Sequence, residues 1–198
     1  MRSLEELLAA KRSWRDELLQ QRRSASRAIL TEESQSLRET VRRHARQSGV
    51  HTVCAYVPVG REPGNIELLD DLRDIGCRVL LPVVVGPEPL DWAEYEGPSS
   101  LRKADLGLLE PTGRRVGSSG IGQAEVVLVP ALAVDRKGRR LGRGGGYYDR
   151  SLPLAGAGTR LVAVVRDDEF VEELPGEEHD VAMSEVLTPA GGVQDLPL

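Results

Sequence analysis

The sequence predicts a single α/β domain: a mainly parallel sheet flanked by helices, a helical pair at the N-terminus, and a ligand site at the carboxyl ends of the strands. Three observations carry this. Short β-branched apolar runs alternate with helical patterns after residue 50, as in strand–helix–strand units. The run AEVVLVPAL (124–132) is almost continuously apolar, which suits a strand covered on both faces. A glycine-rich stretch follows it directly, and parallel sheets gather ligands where loops leave the carboxyl ends of their strands.

Leu4, Leu7, Leu8, Trp14, Leu18 and Leu19 recur at helical spacing between charges and predict a helix over 3–25. Thr31 is the expected N-cap of a second helix, which runs to about Gln47 before Gly49 breaks the pattern. Ten basic residues lie between Lys11 and Arg46 against five acidic ones, a solvated face of which a subset is free to meet an anion. HTVCAYVPV (51–59) reads as a strand, 66–76 as a helix ending near Gly76, 77–85 as a strand and 91–95 as a short one. The Gly/Ser-rich segment 112–123 reads as a mobile surface loop, and 124–132 and 159–165 as strands. The domain spans 1–190, and residues 191–198 are expected to fray as a flexible tail.

Composition excludes several classes. The 198 residues are 40% hydrophobic, enough for one core. Seven are aromatic, so that core must be aliphatic. A net charge of −5 argues against nucleic-acid coating, no run is long enough to span a membrane, and the start MRSLEELLAAKRSW lacks the apolar stretch of a signal peptide. Cys54 and Cys77 lie in apolar runs and read as free buried thiols in a reducing compartment. The expectation is a cytoplasmic monomer with small-molecule ligands, no nucleic acid and no membrane partner.

The chemistry concentrates in ALAVDRKGRRLGRGGGYYDRSL (131–152). Gly142, Gly144, Gly145 and Gly146 let the backbone bring N–H groups close to a ligand. A helix beginning near Tyr147 adds its positive end, and the interleaved Arg139, Arg140 and Arg143 are fork donors matched to phosphate oxygens. Asp149 follows, where a carboxylate can hold Mg²⁺ against phosphates. The pattern is neither GxxxxGK[ST] nor a clean GxGxxG.

RLGRGGGYYDR (140–150) resembles the signature of the 5-formyltetrahydrofolate cyclo-ligases, and the likeness runs from about Lys11 to Pro189. KRSWR (11–15) resembles the family's N-terminal helix motif, YVPVGREPG (56–64) its Y-x-P-x-x-x-E loop, LLPVV (80–84) the strand after it and LGLLEP (106–111) its GIxEP turn. VPALAVDRKGRRLG (129–142) resembles VPGxAFDxxGxRLG, ELPGEEHD (173–180) resembles xLPxExHD, and VLTP (186–189) the closing strand.

The resemblance implies an enzyme dependent on ATP and Mg²⁺ that converts 5-formyltetrahydrofolate to 5,10-methenyltetrahydrofolate, releasing ADP and phosphate. It implies ATP contacts at Lys11 and Arg15, four apart on one helix face, and along Arg140, Leu141, Gly142, Arg143, Gly144, Gly145, Gly146, Tyr147 and Tyr148. Arg140, Arg143 and Tyr148 form the expected catalytic set. Val57, Glu62, Trp92 and Tyr148 are the expected substrate contacts, with core packing the alternative for Val57 and Trp92. Asp149 and Asp180 are the implied metal ligands, and His179 reads as a structural turn residue. Ala131, Val134, Gly145, Glu169, Ser184 and Asn65 depart from common family residues. A non-catalytic folate- or nucleotide-binding module and an RNA-binding protein are the competing readings.

Overall fold

The computed structural model describes residues 4–176 and 180–198, which form four α-helices and twelve strands. In chain order these are α1 (Leu4–Ser24), α2 (Arg27–Ser48), β1 (Thr52–Cys54), α3 (Ile66–Asp74), β2 (Arg78–Val83), β3 (Asp91–Glu94), β4 (Leu101–Lys103), β5 (Leu109–Pro111), β6 (Val126–Pro130), β7 (Ala133–Asp135), β8 (Arg140–Leu141), α4 (Tyr147–Ser151), β9 (Arg160–Val164), β10 (Phe170–Val171), β11 (Glu185–Thr188) and β12 (Gly192–Asp195).

Seven strands form the central sheet in the order β12-β11-β9-β6-β1-β2-β3. Its interior pairings are parallel, and only the edge strands β3 and β12 run antiparallel. One core cluster packs α2 and α3 against one face through Leu37, Val41, Leu69 and Leu72, and a second fills the other face around Trp92, Ile121 and Val127. As composition requires, both are mostly aliphatic.

The helical pair differs in detail from its expected boundaries. Ser26, not Thr31, caps α2: its Oγ accepts the Ile29 N–H at 3.3 Å, while Thr31 sits inside the helix and donates to the Arg27 carbonyl. Gly49, at φ 60°, closes the far end. Asn65, where the family often has Thr, caps α3 by accepting the Leu68 N–H at 3.2 Å.

Two further expectations are corrected. The segment 112–123 lies at the surface as expected, but its residues 118–123 form a 3-10 turn that buries Gly120 and Ile121, with Gly120 so close to Val116 and Trp92 that a Cβ would lie 2.5 Å from the Val116 side chain. The C-terminus does not fray: β12 pairs with β11 along Gly192–Asp195, and Leu196 packs on the core. An open sheet edge supplies backbone partners that no local signal announces.

A second sheet, β10-β7-β8, aims the glycine-rich loop. Asp135, fully buried, accepts N–H bonds from Lys137 and Arg139 with one oxygen and from Leu174 with the other. Gly138 completes the turn at φ 82°, where a Cβ would lie 2.5 Å from the Met183 carbonyl. This hairpin packs on α1 through a third cluster of Leu18, Leu132, Ala133, Leu141 and Leu174, with Trp14 against it.

Arg22 of α1 belongs to no solvated face. It is 3% exposed and forks onto Glu169 at 2.6 and 2.8 Å, with a third bond to the Ala131 carbonyl at 2.6 Å. Burial works against its charge, and the bonds to Glu169 outweigh it, so the net shift is upward. Glu169 and Ala131, two of the family departures, are therefore the partners that fix α1.

Candidate active site

The strands β1, β2 and β6 end at one cavity of about 380 Å³. The chain leaves β1 toward β2 on one side and β6 toward β9 on the other, so the cavity lies at the switch point of the sheet. Tyr56, Val57, Val59 and Glu62 follow β1, Pro82 and Val84 come from the end of β2, and Pro130 and Ala131 from the end of β6. Leu90, Leu108, Leu109 and Glu110 form a largely apolar wall.

The glycine loop covers the remaining side. Arg140, Gly142, Arg143, Gly144, Gly145, Gly146, Tyr147, Tyr148 and Asp149 all line the cavity. Gly144 and Gly146 take φ values of 96° and 70°, which an L side chain rarely adopts. At Gly145, where some family members carry Lys, a Cβ would come 3.0 Å from the Tyr147 ring. Leu141 anchors the loop from below, buried in the third cluster.

Cations and carboxylates alternate around the site. Arg143 Nε donates to Glu62 Oε1 at 2.8 Å, and Glu62 Oε2 accepts the Val59 N–H at 2.9 Å. Arg140 is almost fully covered and donates to the exposed Asp149, with its guanidinium 5.9 Å from the Tyr148 ring centre. Burial, opposed first by Asp149, lowers Arg140 from its ordinary value, which is so high that the charge remains.

Arg15 reaches the loop from α1 and Lys11 lies one turn before it, neither of them lining the cavity. Arg15 Nε donates to the Gly142 carbonyl at 2.9 Å, and Lys11 Nζ lies 3.5 Å from Asp180. Both are i, i+4 on one helix face, so the same packing that seats Leu18 and Arg22 sets their height.

Tyr148 has a buried hydroxyl with no hydrogen-bond partner among the described residues. Burial first, then Glu62 and Cys54, push its phenol well up, so it stays a protonated donor. Orphaned buried donors are rare. Removing the hydroxyl relieves a desolvation cost of about 1–3 kcal/mol. Tyr148→Phe is therefore expected to melt no lower than the wild type and to turn over more slowly. A variant that is less stable yet fully active would show the hydroxyl to be structural.

Trp92 is corrected. It is 0% exposed in the second core cluster and lines no part of the cavity, because the 118–123 turn closes over it. It packs the core and has no ring face open to a ligand. His179 lies outside the described residues. Sequence reasoning also did not single out Glu110 as a wall residue, although it is the acid of LGLLEP (106–111), the stretch that resembles the GIxEP turn.

A model described as the 5-formyltetrahydrofolate cyclo-ligase family matches residues 8–189. The chain belongs to that family. A cyclo-ligase of Mycolicibacterium smegmatis is 51% identical over 189 residues, covering 93% of this chain and 96% of its own. One from Escherichia coli K12 is 33% identical over 143 residues, covering 71% and 79%. The solved 5,10-methenyltetrahydrofolate synthetase of Aquifex aeolicus superposes with a TM-score of 0.76 at 27% identity, covering 94% of this chain and 92% of that one. That of Mycoplasma pneumoniae, at 18% identity and a TM-score of 0.71 over 89% and 96%, shares the fold. Within this cyclo-ligase fold, no helix among the described residues is long and apolar enough to cross a membrane.

Proposed function

We propose that this cyclo-ligase family member uses ATP to close 5-formyltetrahydrofolate into 5,10-methenyltetrahydrofolate, releasing ADP and phosphate. The observation that carries the reading is one cavity in which a glycine loop with two arginines faces an apolar slot of a size for a flat ring. The formyl oxygen is a poor leaving group until it is phosphorylated. It attacks the γ-phosphorus as the bond to ADP breaks. N10 then attacks the formyl carbon, the carbon–oxygen bond breaks with loss of phosphate, and N10 gives up its proton.

The protein's part is alignment and charge neutralisation. Arg140 and Arg143 exchange their present partners, Asp149 and Glu62, for phosphate oxygens, while Lys11 and Arg15 meet the nucleotide from α1. Glu62, once released, accepts N–H bonds from the pterin, and Tyr148 donates its free hydroxyl to the reacting oxygen. Val57 gives the slot an apolar side.

Among the described residues no three metal-binding side chains cluster. A pair of carboxylates nonetheless suits Mg²⁺, which binds through one or two carboxylates plus phosphates and water. Asp149 and Asp180 both act on the Arg140 guanidinium and would hold the ion, which supplies neutralising charge to the phosphates.

Purified protein with ATP, Mg²⁺ and 5-formyltetrahydrofolate is expected to develop the near-ultraviolet absorbance of the methenyl product, and to fail when ATP is omitted or Mg²⁺ chelated. Folate binding without any absorbance change would instead identify a non-catalytic binding module.

A further inference from the structure

Glu110 is a carboxylate that the fold leaves half unused. It is 7% exposed on β5, where its Oε1 accepts the Val84 N–H at 2.9 Å. Its other oxygen has no hydrogen-bond partner among the described residues, the residue lines the cavity, and no described Lys, Arg or His forms an ion pair with the side chain. The surrounding wall is Pro82, Val84, Leu90, Leu108 and Leu109. Glu62, by contrast, already has both oxygens engaged, one by Val59 and one by Arg143.

A carboxylate oxygen on a mostly apolar pocket wall, with no protein donor engaging it, is a ready acceptor, and in such pockets a few polar groups set ligand orientation. The complementary ligand is a flat ring whose edge carries N–H donors. A reduced pterin carries them on its pyrimidine edge and on its reduced ring. We propose that Glu110 is a second recognition carboxylate, accepting an N–H of the reduced pterin through its unpartnered oxygen while Glu62 holds another donor of the same ring. This rests on the folate reading above and adds a residue to it.

Glu110→Gln tests it at nearly constant volume. Whichever way the amide turns, its NH₂ faces either the Val84 N–H or the ligand's N–H, so one donor–donor conflict remains. The expected result is a KM for 5-formyltetrahydrofolate raised at least about tenfold, the equivalent of about 1.4 kcal/mol. The KM for ATP should stay within about twofold, and calorimetric affinity for 5-formyltetrahydrofolate without ATP should fall by a factor similar to the rise in its KM. Glu110→Ala, which removes the acceptor without adding a donor, should weaken folate binding in the same sense. Unchanged folate KM and affinity in both variants would overturn the proposal, as would a loss confined to melting temperature. A wild-type protein that neither binds the folate nor forms product would overturn the folate reading itself, whereas an active wild type with indifferent variants overturns the Glu110 assignment alone.

Discussion

Arg140→Ala is expected to lower kcat by about 10²–10³-fold, the size of effect seen when one preorganised charge-stabilising donor is removed from an active site. Its guanidinium is held under the loop and over the Tyr148 ring, away from bulk water, where a fork of charge-assisted bonds to a phosphoryl group is strongest. The fold itself should survive. Asp149, which loses its partner, is 67% exposed at the side chain and can be solvated. Arg140→Lys keeps the charge without the fork and should recover only part of the rate. Single-turnover kinetics with saturating ATP would show whether the loss lies in the chemical step. Turnover near that of the wild type would remove Arg140 from the phosphate site.

Arg22→Met is expected to cost about 3–5 kcal/mol of folding stability, because it strands the Glu169 carboxylate in the interior. For a chain of this size that corresponds to a melting temperature lower by roughly 6–20 °C. The double variant Arg22→Met with Glu169→Leu should regain much of the loss, since a buried pair repays its desolvation only with full hydrogen bonding. Here Arg22 Nη1 is buried without a partner among the described residues. Urea midpoints for the two variants decide the matter. Equal destabilisation in both would mean that the loss is one of packing volume and not of stranded charge.

What could be read from the sequence was local. The runs at 124–132 and 159–165 announce buried strands because parallel strands covered on both faces need unbroken apolar character, and β6 and β9 occupy them. The glycines and arginines of 139–146 announce a cradle because their backbone freedom and fork donors are properties of the residues themselves. Long-range pairing was not legible. Arg22 and Glu169 are 147 positions apart, and nothing near either distinguishes a buried arginine from the solvated ones around it. Trp92 stands in a strand next to the site, and only the turn at Gly120 decides that it faces the core. Ser26 and Thr31 are both good caps by type, and the first turn of α2 is set by where α1 ends. Glu110 stands in the motif LGLLEP, but only the fold shows that the Val84 N–H, just past β2, engages one of its oxygens.

The grip of α1 on the glycine loop has a consequence for cooperativity. Glycine-rich loops ordinarily belong to the least stable parts of a protein, opening independently of the rest. Here Arg15 holds the Gly142 carbonyl, and two turns further along the same helix Arg22 is locked to Glu169 and Ala131 in the interior. The loop is thereby joined through α1 to a buried ion pair of the interior. Its amide hydrogens should exchange with solvent at rates closer to those of β6 than of a surface turn, and a lesion at Arg22 would loosen a segment it never touches.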